Sequence, residues 1–208
     1  MSTRPFCRIV HPASGSLRNA ARAGFAVILS LFACSPAGAI TVSAGAGCGV
    51  PTAMGAYLKT SRAFELATFA RLTETASLGL LADYTQQPTR TAATTSYQER
   101  LLLTVRWTWG KRQFPNWFQP FGQLGVGGGY MEYAGPSLVE RLNAPAGRLG
   151  IGAMVHVNRR FAIVPTLSYD RLEAASTQAE RQYPTMLTLR CSAAFSVLGD
   201  NPLLGPAR

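Results

Sequence analysis

Charged side chains recur at alternate positions within otherwise apolar segments of this chain. Since a β-strand sends neighbouring side chains to opposite faces, each charge would share its face with small or polar residues. Buried charges of both signs can form ion pairs, and an acid working with a histidine can transfer protons. The charges that share the polar face are Glu65, Arg71, Asp83, Arg106, Asp170 and Arg190. We predict that these six side chains form an ion-pair network in the lumen, the interior of a closed sheet. A narrow channel that conducts ions is the alternative.

A single histidine, His156, is available for acid–base catalysis outside the first 39 residues. It falls on the polar face of its segment, two residues before a predicted short turn at 158–160. A base needs a placed nucleophile to form a catalytic site, and the spacing of the sequence offers none. We therefore predict no catalytic residue and no enzyme activity, with a lipid A-modifying enzyme as the alternative.

Two cysteines, Cys48 and Cys191, lie outside the first 39 residues, and with one histidine they are too few to predict a metal site. The glycine run Gly125–Gly129 lacks the Lys-Ser/Thr of a phosphate-binding loop, so we predict no cofactor. Both cysteines fall on the apolar face, one in the first predicted strand and one in the last. In a closed barrel those strands are neighbours, which predicts a seam disulfide in an oxidising compartment. Two separate small apolar residues are the alternative.

The charges lie in segments with the two-residue periodicity of half-buried strands. In Arg100–Trp109, one face carries Leu101, Leu103, Val105, Trp107 and Trp109, and the other carries Leu102, Thr104, Arg106 and Thr108. The segment at 63–73 also fits a helical pattern, and Pro165 cannot donate a hydrogen bond within its strand. The eight predicted strands are Thr41–Val50, Ala63–Thr73, Ala76–Thr85, Arg100–Gly110, Gln119–Tyr133, Arg148–Asn158, Phe161–Leu172 and Thr185–Val197.

The connections between these strands alternate in length. Those at 73–76 and 158–160 are short, whereas those at 51–62, 86–99, 134–147 and 173–184 are long. Strands of about 9–11 residues, with short turns at one end and long loops at the other, are typical of outer-membrane barrels. The predicted fold is therefore all-β, an eight-stranded antiparallel up-and-down transmembrane β-barrel. A water-soluble β-sandwich is the alternative.

Aromatic residues fall near both ends of the predicted strands on the apolar face, as expected where a barrel meets the two membrane interfaces. Near the loop ends they are Tyr84, Tyr130 and Tyr169, and near the turn ends Trp107, Trp109, Phe161 and Phe195.

The first 39 residues have the features of a cleavable signal peptide. Four arginines without an acid precede the apolar segment Ala23–Ala33, and Ala37–Ala39 supplies small residues before a cleavage point. The predicted organisation is a signal peptide at 1–39, a barrel at 40–198 and a tail at 199–208. Leu31–Cys34 loosely resembles a lipoprotein box, so a Cys34-lipidated or periplasmic soluble β-protein is an alternative. Removing the leader lowers the net charge from +10 to +6, and the scattered basic residues that remain do not predict nucleic-acid binding.

The segment Trp117–Tyr130, WFQPFGQLGVGGGY, opens with a Pro-aromatic step and continues as a glycine-rich strand. It resembles a recurring strand of the small outer-membrane β-barrel superfamily, the OmpA-like and opacity-protein group. Arg148–Asn158 followed by Phe161–Tyr169 is similar to the next hairpin of that group. The resemblance covers residues 100–197, and 41–85 more weakly, and it implies a fold rather than a role. Members of the group typically end in an aromatic residue, whereas Phe195 is followed by thirteen residues here.

These features predict a protein in the outer membrane of a Gram-negative-type bacterium. Its predicted role is structural or surface-interaction, because loops on a rigid scaffold suit the binding of partners. The predicted partners are outer-membrane lipid and lipopolysaccharide, together with a surface protein or a host partner.

Overall fold

The computed structural model describes residues 40–52, 60–88, 95–109, 114–134, 139–172 and 185–198. The predicted signal peptide and the predicted tail lie outside the described residues. No helix within these ranges is long and apolar enough to cross a bilayer. The strands are β1 (Ile40–Pro51), β2 (Ser61–Arg71), β3 (Ala76–Pro88), β4 (Thr95–Thr108), β5 (Phe118–Ala134), β6 (Val139–His156), β7 (Phe161–Leu172) and β8 (Thr185–Leu198).

The sheet closes on itself. Each strand pairs antiparallel with the next, and β1 also pairs with β8, from Ile40 opposite Leu198 to Pro51 opposite Met186. Where the ladders close, each strand has a partner on both sides, which removes the usual site of edge-to-edge aggregation. The predicted eight-stranded antiparallel barrel is confirmed, and the sandwich alternative is wrong because the first and last strands are joined.

The apolar face of the barrel wall points outward. In β4, Leu101, Leu103 and Val105 are exposed, whereas Leu102 and Thr104 between them are buried. Water-soluble proteins rarely expose so much contiguous apolar surface, and outward apolar side chains are what a lipid-embedded strand requires. The interior contains two apolar clusters, one that includes Leu81 and Leu102 and one around Phe121.

The strands at the loop end are longer than the sequence predicts. The β3–β4 hairpin extends to Pro88 and Thr95, and β6 begins at Val139 rather than at Arg148. The predicted loops at 86–99 and 134–147 are therefore largely strand. The sheet formed by β3, β4, β5 and β6 continues as two long hairpins at this end of the barrel.

The prolines account for two departures from a regular ladder. The backbone N–H of His156 donates to the carbonyl of Trp117, on the side of β5. Backbone N–H groups along β6 point alternately toward β5 and away from it, so the nitrogen of Pro145 points away from β5. Because the β6–β7 ladder reaches only to Ala146, no described strand needs a donor at that position. The same ladder is interrupted between Gly152–Thr166 and Val155–Ile163, beside Pro165, which has no N–H to donate.

Candidate functional site

Three carboxylates and three guanidinium groups meet inside the barrel. We call Glu65, Asp83, Asp170, Arg100, Arg148 and Arg190 the ionic cluster. Its members come from six different strands, and their side chains are at most 5% exposed. Burying a single charge costs several kcal/mol, so the equal number of cations and anions is a condition for the arrangement to be stable.

Arg148 is the centre of the ionic cluster, since its three guanidinium nitrogens each meet a different carboxylate. Nε lies 2.6 Å from Oδ1 of Asp170, and Nη1 lies 2.7 Å from Oε2 of Glu65. Nη2 contacts Oδ2 of Asp83. The planar guanidinium holds its donors in a rigid fork, so one side chain can fix three acids from three strands.

The other two arginines complete the ionic cluster. Nε of Arg100 lies 2.8 Å from Oδ1 of Asp83, and Nη2 of Arg190 lies 3.0 Å from Oδ2 of Asp170. The hydroxyl of Ser168 accepts from Arg190 and donates to Asp170 over 3.1 Å. Each carboxylate therefore lies within ion-pair distance of at least two arginines.

Glycines in β1 and β5 make room for the large side chains. Gly47 pairs across from Arg190, and Gly129 pairs across from Arg100. A Cβ atom at Gly47 would collide with the backbone of Leu189 and Arg190, and one at Gly129 would meet the Arg100 side chain. These two strands contribute no charge to the ionic cluster, and their lumen-facing glycines provide the space that the guanidinium groups fill.

Two of the residues predicted for the network, Arg71 and Arg106, do not join it. The Arg106 guanidinium lies between the rings of Phe69 and Phe121, at 3.9 and 4.2 Å from their centroids. Arg71 donates to the carbonyls in the 72–75 turn. Each lies six residues along its strand from a member of the ionic cluster, a separation of about 20 Å. Strand parity assigns a face correctly but carries no information about height.

The predicted network did not include Arg100 and Arg148, although the two-residue alternation places both on the predicted inward face. They stand at the first positions of predicted strands that in fact begin five and nine residues earlier, at Thr95 and Val139. The residues treated as strand ends are therefore well inside the wall. Counting the first residue of each predicted strand in the alternation would have found both of them.

The predicted seam disulfide is not formed. Cys48 and Cys191 face outward on neighbouring strands, as expected, but both are free thiols. Cys48 lies directly opposite Leu189, and Cys191 lies opposite Ala46, so the two cysteines are diagonal neighbours. The Cβ atoms of diagonal neighbours in a ladder lie slightly less than about 7–8 Å apart. A disulfide needs a Cβ–Cβ distance of roughly 3.5–4.5 Å, so the two cysteines are too far apart.

The predicted aromatic residues lie on the outer surface near the ends of the strands. Tyr84 and Tyr130 both pair with Glu99, so they stand in one row, and Phe161 pairs directly with Phe195 at the other end. Of the remaining residues predicted for the aromatic girdles, Trp107, Trp109 and Tyr169 are exposed. Their assignment to the two membrane interfaces stays a prediction.

His156 lies at the short-turn end of the lumen. It is half-buried, and its Nε2 lies 3.2 Å from Oε1 of Gln119. Among the residues that the structure describes, no group of three or more His, Cys, Asp or Glu side chains is arranged to hold a metal ion.

A groove of about 1020 Å³ lies on the outer wall near the loop end, across β2 to β6. Its floor is low because Ala82 and Gly128 are small, and a Cβ atom added at Gly128 would meet nothing within 4 Å. Glu99 lies beside it, and its aromatic walls are Phe64, Tyr84 and Tyr130. We call this feature the outer groove.

Comparison with known proteins identifies the fold. No protein-family model matches the sequence, and no curated protein matches it. The structure resembles Neisserial surface protein A, with 11% identity and a TM-score of 0.56 over 76% of this chain and 96% of that one. It also resembles Ail, the attachment invasion locus protein of Yersinia pestis, with 15% identity and a TM-score of 0.50 over 76% of this chain and 98% of that one.

A major outer membrane protein from Thermus thermophilus matches with 12% identity and a TM-score of 0.50, over 77% of this chain and 99% of that one. At these identities the likeness concerns the fold. The resemblance predicted from the sequence is confirmed at that level. With its closed antiparallel sheet and its outward apolar belt, this chain has the fold of the small outer-membrane β-barrels.

Proposed function

We propose that this protein is a sealed outer-membrane barrel with a structural or surface-interaction role, rather than a channel or a lipid-modifying enzyme. The observation that carries the proposal is the ionic cluster, whose six side chains from six strands meet across the lumen. The interior of an eight-stranded barrel is only just wide enough to be filled by its own side chains. A neutral layer in which every charged group has an oppositely charged neighbour supports a closed lumen.

The layers on either side of the ionic cluster add to the barrier. Toward the loop end, Gln87, Gln98 and Met131 are buried at 0–2% exposure. Toward the turn end, Phe69 and Phe121 enclose Arg106. An ion crossing the barrel would have to displace several buried layers in succession, so we expect no conductance.

Single-channel recording in planar bilayers tests the closed lumen. The wild-type protein should give no conductance steps. Arg148→Ala with Asp170→Ala removes one cation and one anion, keeps the ionic cluster neutral and should admit ions. The matched control is Arg62→Ala with Glu99→Ala, which removes two outward-facing charged side chains and should stay silent. Reproducible steps from the wild-type barrel would contradict the proposal.

The surface role is supported by the two long hairpins of β3–β4 and β5–β6. Their outward faces carry ordered polar aromatic groups: the rings of Tyr84 and Tyr97 stack at 6.2 Å, and Tyr130 donates to Glu132 over 2.9 Å. Such a rigid sheet suits contact with a surface protein or a host partner. It requires the loop end to face the cell exterior, as in other barrels with short periplasmic turns.

Labelling of intact cells tests this orientation. In a Cys48→Ala, Cys191→Ala background, Glu132→Cys should react with a membrane-impermeant maleimide. The control Glu74→Cys, in the exposed 72–75 turn, should react only after the outer membrane is broken. The reverse pattern would place the hairpins in the periplasm and contradict a surface role.

The non-enzymatic assignment has its own test. Lipid A is extracted from cells that produce the wild-type protein, from cells that produce His156→Ala and from cells that produce neither protein. All three samples should give the same mass spectrum. A modification that depends on His156 would establish the lipid-modifying alternative instead.

The outer groove favours a second function, the binding of an acyl chain from an outer-leaflet lipid. Its apolar floor lies on the lipid-facing wall, and the hydroxyls of Tyr84 and Tyr130 suit the headgroup level. Gly128→Leu should fill the outer groove without a collision and reduce the lipid retained in native mass spectra. The control Ala193→Leu, on the exposed face of β8, should retain it. Equal retention in both variants would exclude a specific site.

A further inference from the structure

Arg106 carries a buried positive charge that has no carboxylate within ion-pair distance in the described part of the chain. The residue is 5% exposed, its Nη2 donates to Oε1 of Gln123 over 3.2 Å, and its Nε has no hydrogen-bond partner there. The rings of Phe69 and Phe121 stack on the guanidinium, which offsets part of the desolvation cost. Rings cannot accept the in-plane N–H donors, so the guanidinium lacks the directly contacting carboxylate that a buried arginine usually has.

A cavity of about 70 Å³ lies beside Arg106 at the short-turn end of the barrel, and we call it the turn-end pocket. The ionisable side chains that line it are Arg71, Arg106, Arg159, Arg160, His156 and Glu74. Four arginines therefore face one carboxylate. The ionic cluster, in contrast, has three of each sign. The described side chains that line this pocket therefore carry more positive than negative charge.

We propose that the turn-end pocket binds a small inorganic oxyanion of the size and charge of phosphate. One ordered water needs roughly 10–15 Å³ of such a cavity, so the pocket has room for an ion with several oxygens. Guanidinium groups bind phosphate oxygens through charge-assisted hydrogen bonds, often two at once. The anion supplies an acceptor for Nε of Arg106 and adds a negative charge beside the four arginines.

The position of the turn-end pocket favours a free ion over a lipid headgroup. Its lining comes from the lumen-facing positions Phe69, Gln119 and Ala194 and from the 157–160 turn. Asn158 stabilises that turn, because its side-chain oxygen accepts hydrogen bonds from the backbone N–H groups of Arg160 and Phe161. A lipid in the bilayer would meet the outer wall, whereas an ion in the periplasm reaches the mouth of the lumen directly.

Isothermal titration of the refolded full-length barrel with inorganic phosphate, in a non-ionic detergent at constant ionic strength, tests the proposal. The wild-type protein should bind one phosphate, and Arg106→Met should weaken binding at least about tenfold because a charged hydrogen-bond donor is lost. Arg159→Gln, in the turn and outside the packed interior, should fold normally and weaken binding several-fold. Arg62→Gln removes an exposed arginine near the loop end and should bind like the wild type.

A parallel titration uses phosphatidylglycerol in mixed micelles as a phosphate carried by a lipid. Binding of the lipid without binding of inorganic phosphate would overturn the assignment to a free ion. Equal phosphate affinity in the wild type, Arg106→Met and Arg159→Gln would overturn the site itself. A rise in melting temperature with phosphate that is smaller in Arg159→Gln supports it independently, because a ligand that binds only the folded state stabilises it.

Discussion

Arg148 and Asp170 stand directly opposite each other on β6 and β7, and Nε of Arg148 lies 2.6 Å from Oδ1 of Asp170. Both side chains point into the lumen in this register, and a one-residue slip of either strand would send its side chains to the other face. A slipped strand would place a charge in lipid. The ion pair and the register of the hairpin therefore specify each other.

Replacing Arg148 should be the most destabilising single change in the ionic cluster. Arg148→Met leaves three buried carboxylates with two arginines, and breaking a buried ion pair costs about 3–5 kcal/mol. Urea unfolding of the detergent-refolded protein measures this loss. Arg62→Met, which removes an exposed arginine, should change the unfolding free energy by less than about 1 kcal/mol.

The double variant Arg148→Met with Asp170→Leu restores equal charge. It should recover part of the stability lost in Arg148→Met, because the remaining two acids and two arginines can still pair. If the double variant loses as much unfolding free energy as the two single variants lose in total, charge balance does not stabilise the packed lumen.

The seam between β1 and β8 should depend on Gly47. Gly47→Val places side-chain atoms against the backbone of Leu189 and Arg190 and should prevent closure. We expect loss of the fast-migrating folded band on unheated gels in sodium dodecyl sulfate, while boiled samples stay unchanged. Gly128→Ala, where an added Cβ atom meets open space, should keep the folded band. Normal heat-modifiability of Gly47→Val would contradict the close packing at this seam.

The cysteines should both titrate as free thiols in the wild-type protein under denaturing, non-reducing conditions. Moving the second cysteine by two residues, as Leu189→Cys with Cys191→Ala, places it directly opposite Cys48. Directly paired Cα atoms in an antiparallel ladder are about 4.5–5.5 Å apart, within the range of a disulfide. This variant should form the bond on mild oxidation, and mass spectrometry of alkylated peptides detects it. Efficient pairing of Cys48 with Cys191 instead would show that the β1–β8 register is shifted.

Much of the fold could be predicted because alternation is a local property. β7 has the predicted boundaries, and the exposed and buried faces of β4 follow the predicted parity. The strands around Pro145 could not be bounded in this way, since proline is tolerated there because no described strand pairs with it on the side that its nitrogen faces. That is information about the partner strand, which a single segment does not contain.

The sequence by itself determined which side chains face lipid and which face the lumen, because each strand encodes that choice in its own two-residue period. Only the tertiary structure decided which lumen residues meet. Arg100 and Arg148 join Asp83 and Asp170, while Arg71 and Arg106, of the same parity, lie toward the other mouth. The physical reason is that height inside a barrel depends on the register and stagger of all eight strands together.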